Sequence, residues 1–219
     1  MPRARPHAGT RARERRTRLA HEAARLMAES GIRDYQQAKR KAAARLGFHD
    51  DASLPRNREI EDALREYQRL FLGDSQADGL RMRREAALRA LEFFDRFDPR
   101  LVGPVLDGTA DARTPIALQL YSDDADAVTR FLEEAGIPAE SRARRLRLDR
   151  IREGDFPVWM FTAEDLGFEL TVLPAVALRQ APLSSIDGKP MKRASAAQLR
   201  QLLVEDEIAG YGAAGGSTG

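Results

Sequence analysis

Residues that can do chemistry are concentrated in the second half of the chain. Asp107, Gly108 and Thr109 form a turn after an apolar stretch, and a turn of glycine and a hydroxyl residue can offer hydrogen-bond donors to a phosphate. Gln119 and Glu169 lie in two later apolar segments that are typical of strands. Because side chains alternate between the faces of a strand, the two residues can serve one site only if their strands share a face. The turn therefore predicts a phosphate-binding site.

The order of these features resembles the nucleotidyltransferase superfamily, whose fold is that of DNA polymerase beta. In that family an apolar strand is followed by Gly-Ser or Gly-Thr, here Gly108-Thr109, and then by a second strand, here 116–121. The second strand carries two carboxylates two residues apart, and a later strand supplies a third, at the position of Glu169. The chain also resembles uncharacterised bacterial proteins described as nucleotidyltransferase-like. The resemblance implies a mixed sheet and a nucleotide-binding site that includes Gly108, Thr109 and Gln119.

The chain departs from the family pattern at the carboxylate pair, where Ala117 and Gln119 stand. In the family, paired carboxylates hold two divalent cations around the attacking and leaving oxygens. One carboxylate, Glu169, and a glutamine do not make such a two-metal site. The resemblance therefore implies a catalytically degenerate protein that binds a nucleotide, an RNA or a protein partner and requires no cofactor.

An active, metal-dependent nucleotidyltransferase is the first alternative. Such an enzyme would use Glu169 as a catalytic residue, together with Asp107 or Asp124, to bind Mg²⁺, while the Gly-Thr turn holds the triphosphate. Asp124 also fits the N-cap of a predicted helix over 125–135, because acidic residues at a helix start accept backbone N–H groups and interact favourably with the helix dipole.

The elements that must position these residues are strands with one helix between them. Apolar alternation predicts a mixed sheet from five strands, at 101–106, 116–121, 142–148, 156–162 and 168–173. A closing helix capped by Ser195 is expected to dock on the sheet. The nucleotidyltransferase-like domain is therefore predicted to span 99–208, and the residues after it, 209–219, are rich in glycine and predict a flexible tail.

Four helices are predicted before the sheet, and they define an N-terminal helical unit over 17–98. Their apolar periodicity and their glycine and proline stops give the ranges 17–30, 35–46, 57–72 and 77–97. The predicted fold class is therefore α+β, with a helical unit followed by a mixed-sheet domain.

The first two predicted helices, joined by Glu29-Ser30-Gly31-Ile32, resemble the start of the helix-turn-helix of the tetracycline-repressor family. A DNA-binding regulator is therefore the second alternative, with a basic face on the second helix from Lys39, Arg40, Lys41 and Arg45. The long loop after Phe48 departs from the short turn expected before a recognition helix. A helical cap with solvated charged faces fits the same pattern.

Charge is distributed unevenly along the 219 residues. The net charge of +2 combines +6 in residues 1–18, which hold seven arginines and one glutamate, with −5 in residues 101–219. We expect residues 1–16 to form a disordered, arginine-rich arm that contacts nucleic acid in a salt-sensitive way, through the side chains of Arg11, Arg13, Arg15 and Arg16. A solvated leader without a ligand is the other interpretation.

Composition limits the class of protein further. With no cysteine in the chain, disulfides and thiolate metal sites are excluded, and no apolar run has transmembrane length. The N-terminus lacks the hydrophobic stretch of a secretory signal. We therefore expect a cytoplasmic protein with no membrane partner, whose oligomeric state is left open. The three histidines lack metal-ligand spacing and receive no role.

Overall fold

The computed structural model describes residues 8–48, 54–71, 73–149 and 151–214. The chain divides into two compact units, one of Met1–Gln76 with Ser185–Asp187 and one of Ala77–Ser184 with Gly188–Gly219. Helices form the first unit, and helices with a five-stranded mixed sheet form the second. The predicted α+β class with N-terminal helices is confirmed.

Helices α1 (Ala8–Ser30), α2 (Tyr35–Leu46) and α3 (Asn57–Phe71) build the first unit. Helix α2 begins and ends as its sequence predicts. The Asp34 side chain accepts a hydrogen bond from the Gln37 N–H at 2.6 Å, and Gly47 ends the helix in the left-handed conformation. The core uses many alanines, which let the helices approach closely, and consists of Leu19, Ala20, Ala23, Ala24, Leu26, Met27, Ile32, Ala38, Ala42, Ile60, Ala63 and Leu64.

The prediction of a disordered arm over 1–16 is wrong for its described part, because α1 begins at Ala8. No residue from Thr10 to Arg18 is buried, and the first core residue is Leu19. Arginine and alanine are good helix formers, and a helix already nucleated by a packed segment extends at little further cost. Residues 1–7 lie outside the described part of the chain.

The sheet of the second unit has the order β1-β2-β5-β4-β3. Strands β2 and β5 pair in parallel, whereas the other neighbours pair antiparallel. The strands are β1 (Arg100–Val102), β2 (Ile116–Tyr121), β3 (Glu140–Arg147), β4 (Glu153–Ala163) and β5 (Leu166–Leu173). Strands are thus found at four of the five predicted segments with small shifts of their ends, and only part of the first segment is a strand.

The predicted strand over 101–106 is wrong beyond Val102. Gly103 has φ 73° and ψ −155°, and Pro104 then begins the single-turn helix α5 (Pro104–Asp107). Proline has no N–H to give to a strand ladder, and its fixed φ suits the first position of a helix. The strand therefore ends at the glycine.

One face of the sheet is apolar and is covered by helices α4 (Gly73–Phe93), α6 (Ala125–Glu134) and α7 (Ala196–Ala214). Short 3-10 helices follow α4 and β5, at Asp95–Phe97 and Ala175–Leu178. The core contains side chains from these helices and from the inner face of the strands, including Ala87, Leu91, Phe94, Leu101, Ile116, Leu118, Leu120, Val128, Leu132, Leu170 and Leu199.

Three predicted boundaries need correction. Helix α4, assigned from sequence to the helical unit, packs its apolar stripe into the core of the sheet, so that the division falls after Gln76 and not after residue 98. Gly73, expected to end the third helix, is the first residue of α4. The predicted flexible tail is helical as far as Ala214, where α7 ends, and 215–219 lie outside the described residues.

Within the described ranges, no helix has both the length and the apolarity needed to cross a membrane.

Candidate functional site

The two strands that carry the predicted site residues are neighbours in the sheet. In the parallel pairing of β2 with β5, Ala117 lies opposite Glu169 and Gln119 lies opposite Thr171. Opposite residues of neighbouring strands point to the same face. Gln119 and Glu169 therefore share a face, as the sequence interpretation requires. We call this face, which also includes Tyr121 and Thr171, the polar face.

Gln119 is enclosed by the protein, with 2% of its surface exposed. Its Oε1 accepts a hydrogen bond from the Tyr121 hydroxyl at 2.9 Å, and its Nε2 donates to Sδ of Met191 at 3.6 Å. Both ends of the amide are thus engaged by neighbouring side chains. In this arrangement Gln119 does not present its amide to a nucleotide.

Arg193 closes the polar face beside Tyr121. One terminal nitrogen of Arg193 donates to the Tyr121 hydroxyl at 2.8 Å and to the Ala177 carbonyl at 2.9 Å, and the other donates to the Leu178 carbonyl at 3.1 Å. Burial raises the pKa of Tyr121, although the hydrogen bond from Arg193 acts in the opposite direction. Tyr121 is therefore a neutral phenol that links Arg193 to Gln119.

Glu169 is paired with Arg144, whose guanidinium extends from β3 across β4 to β5. The Glu169 carboxylate accepts a hydrogen bond from this guanidinium, and its side chain is 11% exposed. A buried carboxylate needs a positive partner, and Arg144 supplies it. The positive charge of Arg144 on this carboxylate opposes the binding of a metal ion there.

The other candidate carboxylates also have partners of their own. Asp107 lies 3.6 Å from Nζ of Lys192. One oxygen of Asp124 accepts the Asp126 N–H at 3.0 Å, and the other accepts from Arg130 at 2.7 Å. The hydrogen bond from Arg130 lowers the pKa of Asp124. Asp124 is thus the N-cap of α6, in agreement with the capping interpretation.

The residues present do not fit a two-metal centre. Ala117 has no ligand atom, the Gln119 amide is packed, and Glu169 is held by Arg144. Across the described residues, no three His, Cys, Asp or Glu side chains are grouped so that they could hold a metal ion. The donor set needed for paired divalent cations is therefore missing at the polar face.

In the Gly108-Thr109 turn, the backbone N–H groups predicted to bind a phosphate are hydrogen-bonded within the protein. Gly108, with φ 80°, ends α5 and donates its N–H to the Pro104 carbonyl, and the Thr109 N–H donates to the same carbonyl at 2.9 Å. The turn that directly follows β1 is instead at Gly103. The two N–H groups therefore close a helix turn and do not point to a ligand.

Two buried arginines that the sequence interpretation left without a role hold the connection between β1 and β2. Arg84 donates to the carbonyls of Val105 at 3.1 Å and Leu106 at 3.2 Å, and it pairs with Asp206 of α7. Ala87 and Leu91, three and seven positions after Arg84, lie on the same side of α4 and are buried. A charged residue within an apolar stripe is the signal that could have identified Arg84.

Arg83 holds the later part of the same connection. Its side chain donates to the Gly79 carbonyl at 3.0 Å, to the Thr114 carbonyl at 3.2 Å and to the Ala112 carbonyl. Burial lowers the pKa of Arg83, and Asp111 opposes this shift. The loop that precedes β2 is therefore fixed by two adjacent guanidinium groups.

The arginines predicted to contact nucleic acid stand on helix α1. Arg11, Arg13 and Arg15 are exposed, and Arg16 is half-buried. The guanidinium of Arg15 lies 5.0 Å from the centre of the Phe48 ring, over its face. Their charges are therefore presented by a folded element.

The basic face proposed for α2 is smaller than the sequence predicts. Lys39 is buried, with 7% of its surface exposed, and burial lowers its pKa while Glu59 opposes the shift. Nε of Arg45 lies 3.4 Å from the Glu22 carboxylate. Arg40 and Lys41 are exposed. Lys39 therefore belongs to the interior of the unit and not to a DNA-binding face.

No protein-family model matches this chain, and no match was found among curated proteins or among solved structures.

Proposed function

We propose that this chain is a catalytically inactive, nucleotidyltransferase-like protein that binds nucleic acid without modifying it. The observation that carries the proposal is the state of the polar face, where Ala117 and Gln119 occupy the positions of the carboxylate pair and Arg144 neutralises Glu169. Two missing metal ligands remove far more catalysis than one remaining carboxylate restores.

The ligand class follows from where charge is exposed. The backbone donors of Gly108 and Thr109 are engaged with Pro104, which disfavours a mononucleotide in that turn. Helix α1 instead presents several exposed arginines. Arginines on one surface bind a polyphosphate by neutralising several phosphates at once. These features support a nucleic acid as the ligand.

The test is incubation of the purified chain with labelled nucleoside triphosphates, Mg²⁺ or Mn²⁺, and RNA or protein acceptors. We expect no transfer of a nucleoside monophosphate. Transfer that is abolished in Glu169→Ala and kept in Glu164→Ala, an exposed glutamate paired with Arg89, would overturn the proposal in favour of an active enzyme.

The reciprocal experiment restores both acids, as Ala117→Asp with Gln119→Asp. We expect a less stable protein without transferase activity, because a carboxylate at position 119 would be enclosed where the amide now meets Tyr121 and Met191. Activity gained by this variant would show that the remaining parts of a nucleotidyltransferase site are still in place.

A further inference from the structure

In the described part of the first unit, the net positive charge lies in the first two helices and the turn between them, and not in the third helix. Residues 8–48 contain eleven basic and four acidic side chains, a net charge of +7. Helix α3 contains three basic and four acidic side chains, a net charge of −1. A polyanion would therefore approach this unit on the side of α1 and α2.

Contacts between α1 and α2 place their basic stripes side by side. Positions 11, 15, 18 and 22 lie on one side of α1 by helical spacing. Two residues of this stripe contact the C-terminal end of α2 or the chain just after it: Arg15 stacks over Phe48, and Glu22 pairs with Arg45. The stripe of α1 therefore runs beside the C-terminal half of α2. Lys41 lies one turn before Arg45 on the same side of α2. We define the basic surface as the side chains of Arg11, Arg15, Arg18 and Lys41.

The charges of the basic surface are available to a ligand. All four side chains are exposed, and none forms an ion pair with a carboxylate in the part of the chain that the structure describes. Arg25, further along α1, differs from them because it pairs with Glu22 at 2.8 Å and with Glu29 at 2.6 Å. Arg11, Arg15 and Arg18 thus have no carboxylate partner among the described residues, whereas Arg25 within the packed part of α1 is neutralised.

The side chains around these cations exclude two classes of anionic ligand. Residues 8–18 contain no large apolar side chain, so this part of α1 has no face to insert into a lipid bilayer. They also contain no aromatic side chain on which unpaired bases could stack, and the Phe48 ring is covered by Arg15. What remains is recognition of phosphates on a duplex.

The dimensions of the helix favour DNA over RNA. An α-helix with its side chains is about 10–12 Å across, and the major groove of B-form DNA is about 12 Å wide. The major groove of an RNA duplex is deep and narrow, and side chains cannot reach its bases. Because no residue from Thr10 to Arg18 is buried, this half of the helix can enter a groove without unfolding the unit.

We propose that the basic surface binds duplex DNA through its phosphates, without sequence preference, with the N-terminal half of α1 in the major groove. This inference takes only its class of ligand, nucleic acid, from the proposed function. Four phosphate contacts predict that log K falls with log salt with a slope of about −3.6. Affinity should therefore fall about 150-fold between about 50 and 200 mM salt.

The test uses the full chain and fluorescence anisotropy at both salt concentrations. The probes are a labelled DNA duplex of mixed sequence, an RNA duplex and a single-stranded RNA of equal length. We expect the DNA duplex to bind most tightly. The variant R11Q/R15Q/R18Q should reduce the slope to about −0.9. A matched control, R142Q/R145Q/R147Q on the exposed edge strand β3, removes the same charge and should keep the original slope.

Tighter binding of single-stranded RNA, or equal losses in the two triple variants, would overturn the inference and leave the proposed function standing. Failure to bind any of the three nucleic acids would overturn the proposed function as well. Circular dichroism checks that the helix content of R11Q/R15Q/R18Q is unchanged. The variant R11K/R15K/R18K keeps the charges and should keep the salt slope, so lost binding in this variant would also overturn the inference.

Discussion

At the scale of single residues, arginine side chains contact the residues and the loop that the sequence predicted to bind a ligand. Arg144 neutralises Glu169, Arg193 closes the polar face at Tyr121, and Arg84 satisfies backbone carbonyls of the loop that follows β1. A buried guanidinium is stabilising only when most of its N–H groups have acceptors. Of these three side chains only Arg84 is buried, whereas Arg193 is half-buried and Arg144 is exposed. The hydrogen bonds of Arg84 therefore hold the loop that follows β1, and those of Arg193 and Arg144 occupy polar groups of the polar face.

Arg84→Met tests how much the buried one of these three side chains contributes to stability. The Arg84 side chain is 6% exposed, and the change leaves the Val105 and Leu106 carbonyls and Asp206 without their partner. We expect the free energy of unfolding to fall by about 3 kcal/mol. Urea unfolding followed by the fluorescence of Trp159, the chain's single tryptophan, measures it. Arg81→Met, on the same helix but 53% exposed, should change stability by less than about 1 kcal/mol, and equal losses would contradict the prediction.

Lys39 gives a pH dependence with a defined sign. Burial lowers its pKa in the folded protein, so between that lowered pKa and about 10.4 the unfolded chain binds more protons than the folded one. In this window the contribution of Lys39 to stability rises with pH. We expect Lys39→Met to be more stable than the parent at pH 7, and the difference to shrink by pH 10. Urea titrations at both values check this, and a difference that grows with pH would show that the sign is wrong.

Residue types and spacing predicted some of this chemistry and missed the rest for a physical reason. Gln119 and Glu169 share a face because strand alternation is a local property. The partner of Glu169 comes from β3, which is two strands away in the sheet, and strand order is set by tertiary packing. The N-cap role of Asp124 was predictable because a cap involves only its nearest neighbours in the chain.

At the scale of elements, local signals predicted boundaries well where they acted alone. Helix α2 lies between Asp34 and Gly47 as predicted, because both its ends are set by capping residues. Helix α4 was assigned to the wrong unit because its apolar stripe gives no information about which core it joins. Apolarity predicts a strand as far as residue 106, whereas the Gly103-Pro104 pair ends β1 at Val102.

Gly103→Ala tests whether this glycine alone redirects the chain from β1 into α5. Its φ of 73° and ψ of −155° lie in a region that is essentially restricted to glycine, and an added Cβ would meet no atom within 4 Å. The change should therefore lower the free energy of unfolding by about 1–3 kcal/mol through backbone strain alone. Gly79→Ala, within α4, should instead raise it by about 0.5–1 kcal/mol, since alanine favours a helix interior. Thermal or urea unfolding of both variants measures the two opposite effects, and a neutral Gly103→Ala would contradict the strain argument.

At the scale of the whole molecule, the described residues form two large hydrophobic cores, one in each unit, and a small cluster around Tyr121, Leu173 and Ala177. One is built from α1, α2 and α3, and the other from the sheet with α4, α6 and α7. Small cores stabilise their units by only a few kcal/mol each, so two units with separate cores need not unfold together. The single tryptophan lies on β4 and reports on the second unit alone, whereas far-ultraviolet circular dichroism reports on helices of both units.

We therefore expect urea unfolding followed by circular dichroism to be broader than unfolding followed by Trp159 fluorescence, because only the first signal includes α1, α2 and α3. The two residue changes separate the contributions. Lys39→Met lies in the first core region and should shift only the component that fluorescence does not report, to higher urea. Arg84→Met should shift the fluorescence transition to lower urea and leave the other component in place. If the circular dichroism and fluorescence transitions coincide, and if each variant shifts both signals equally, the two units unfold as one. The two cores would then be coupled more strongly than their separate packing suggests.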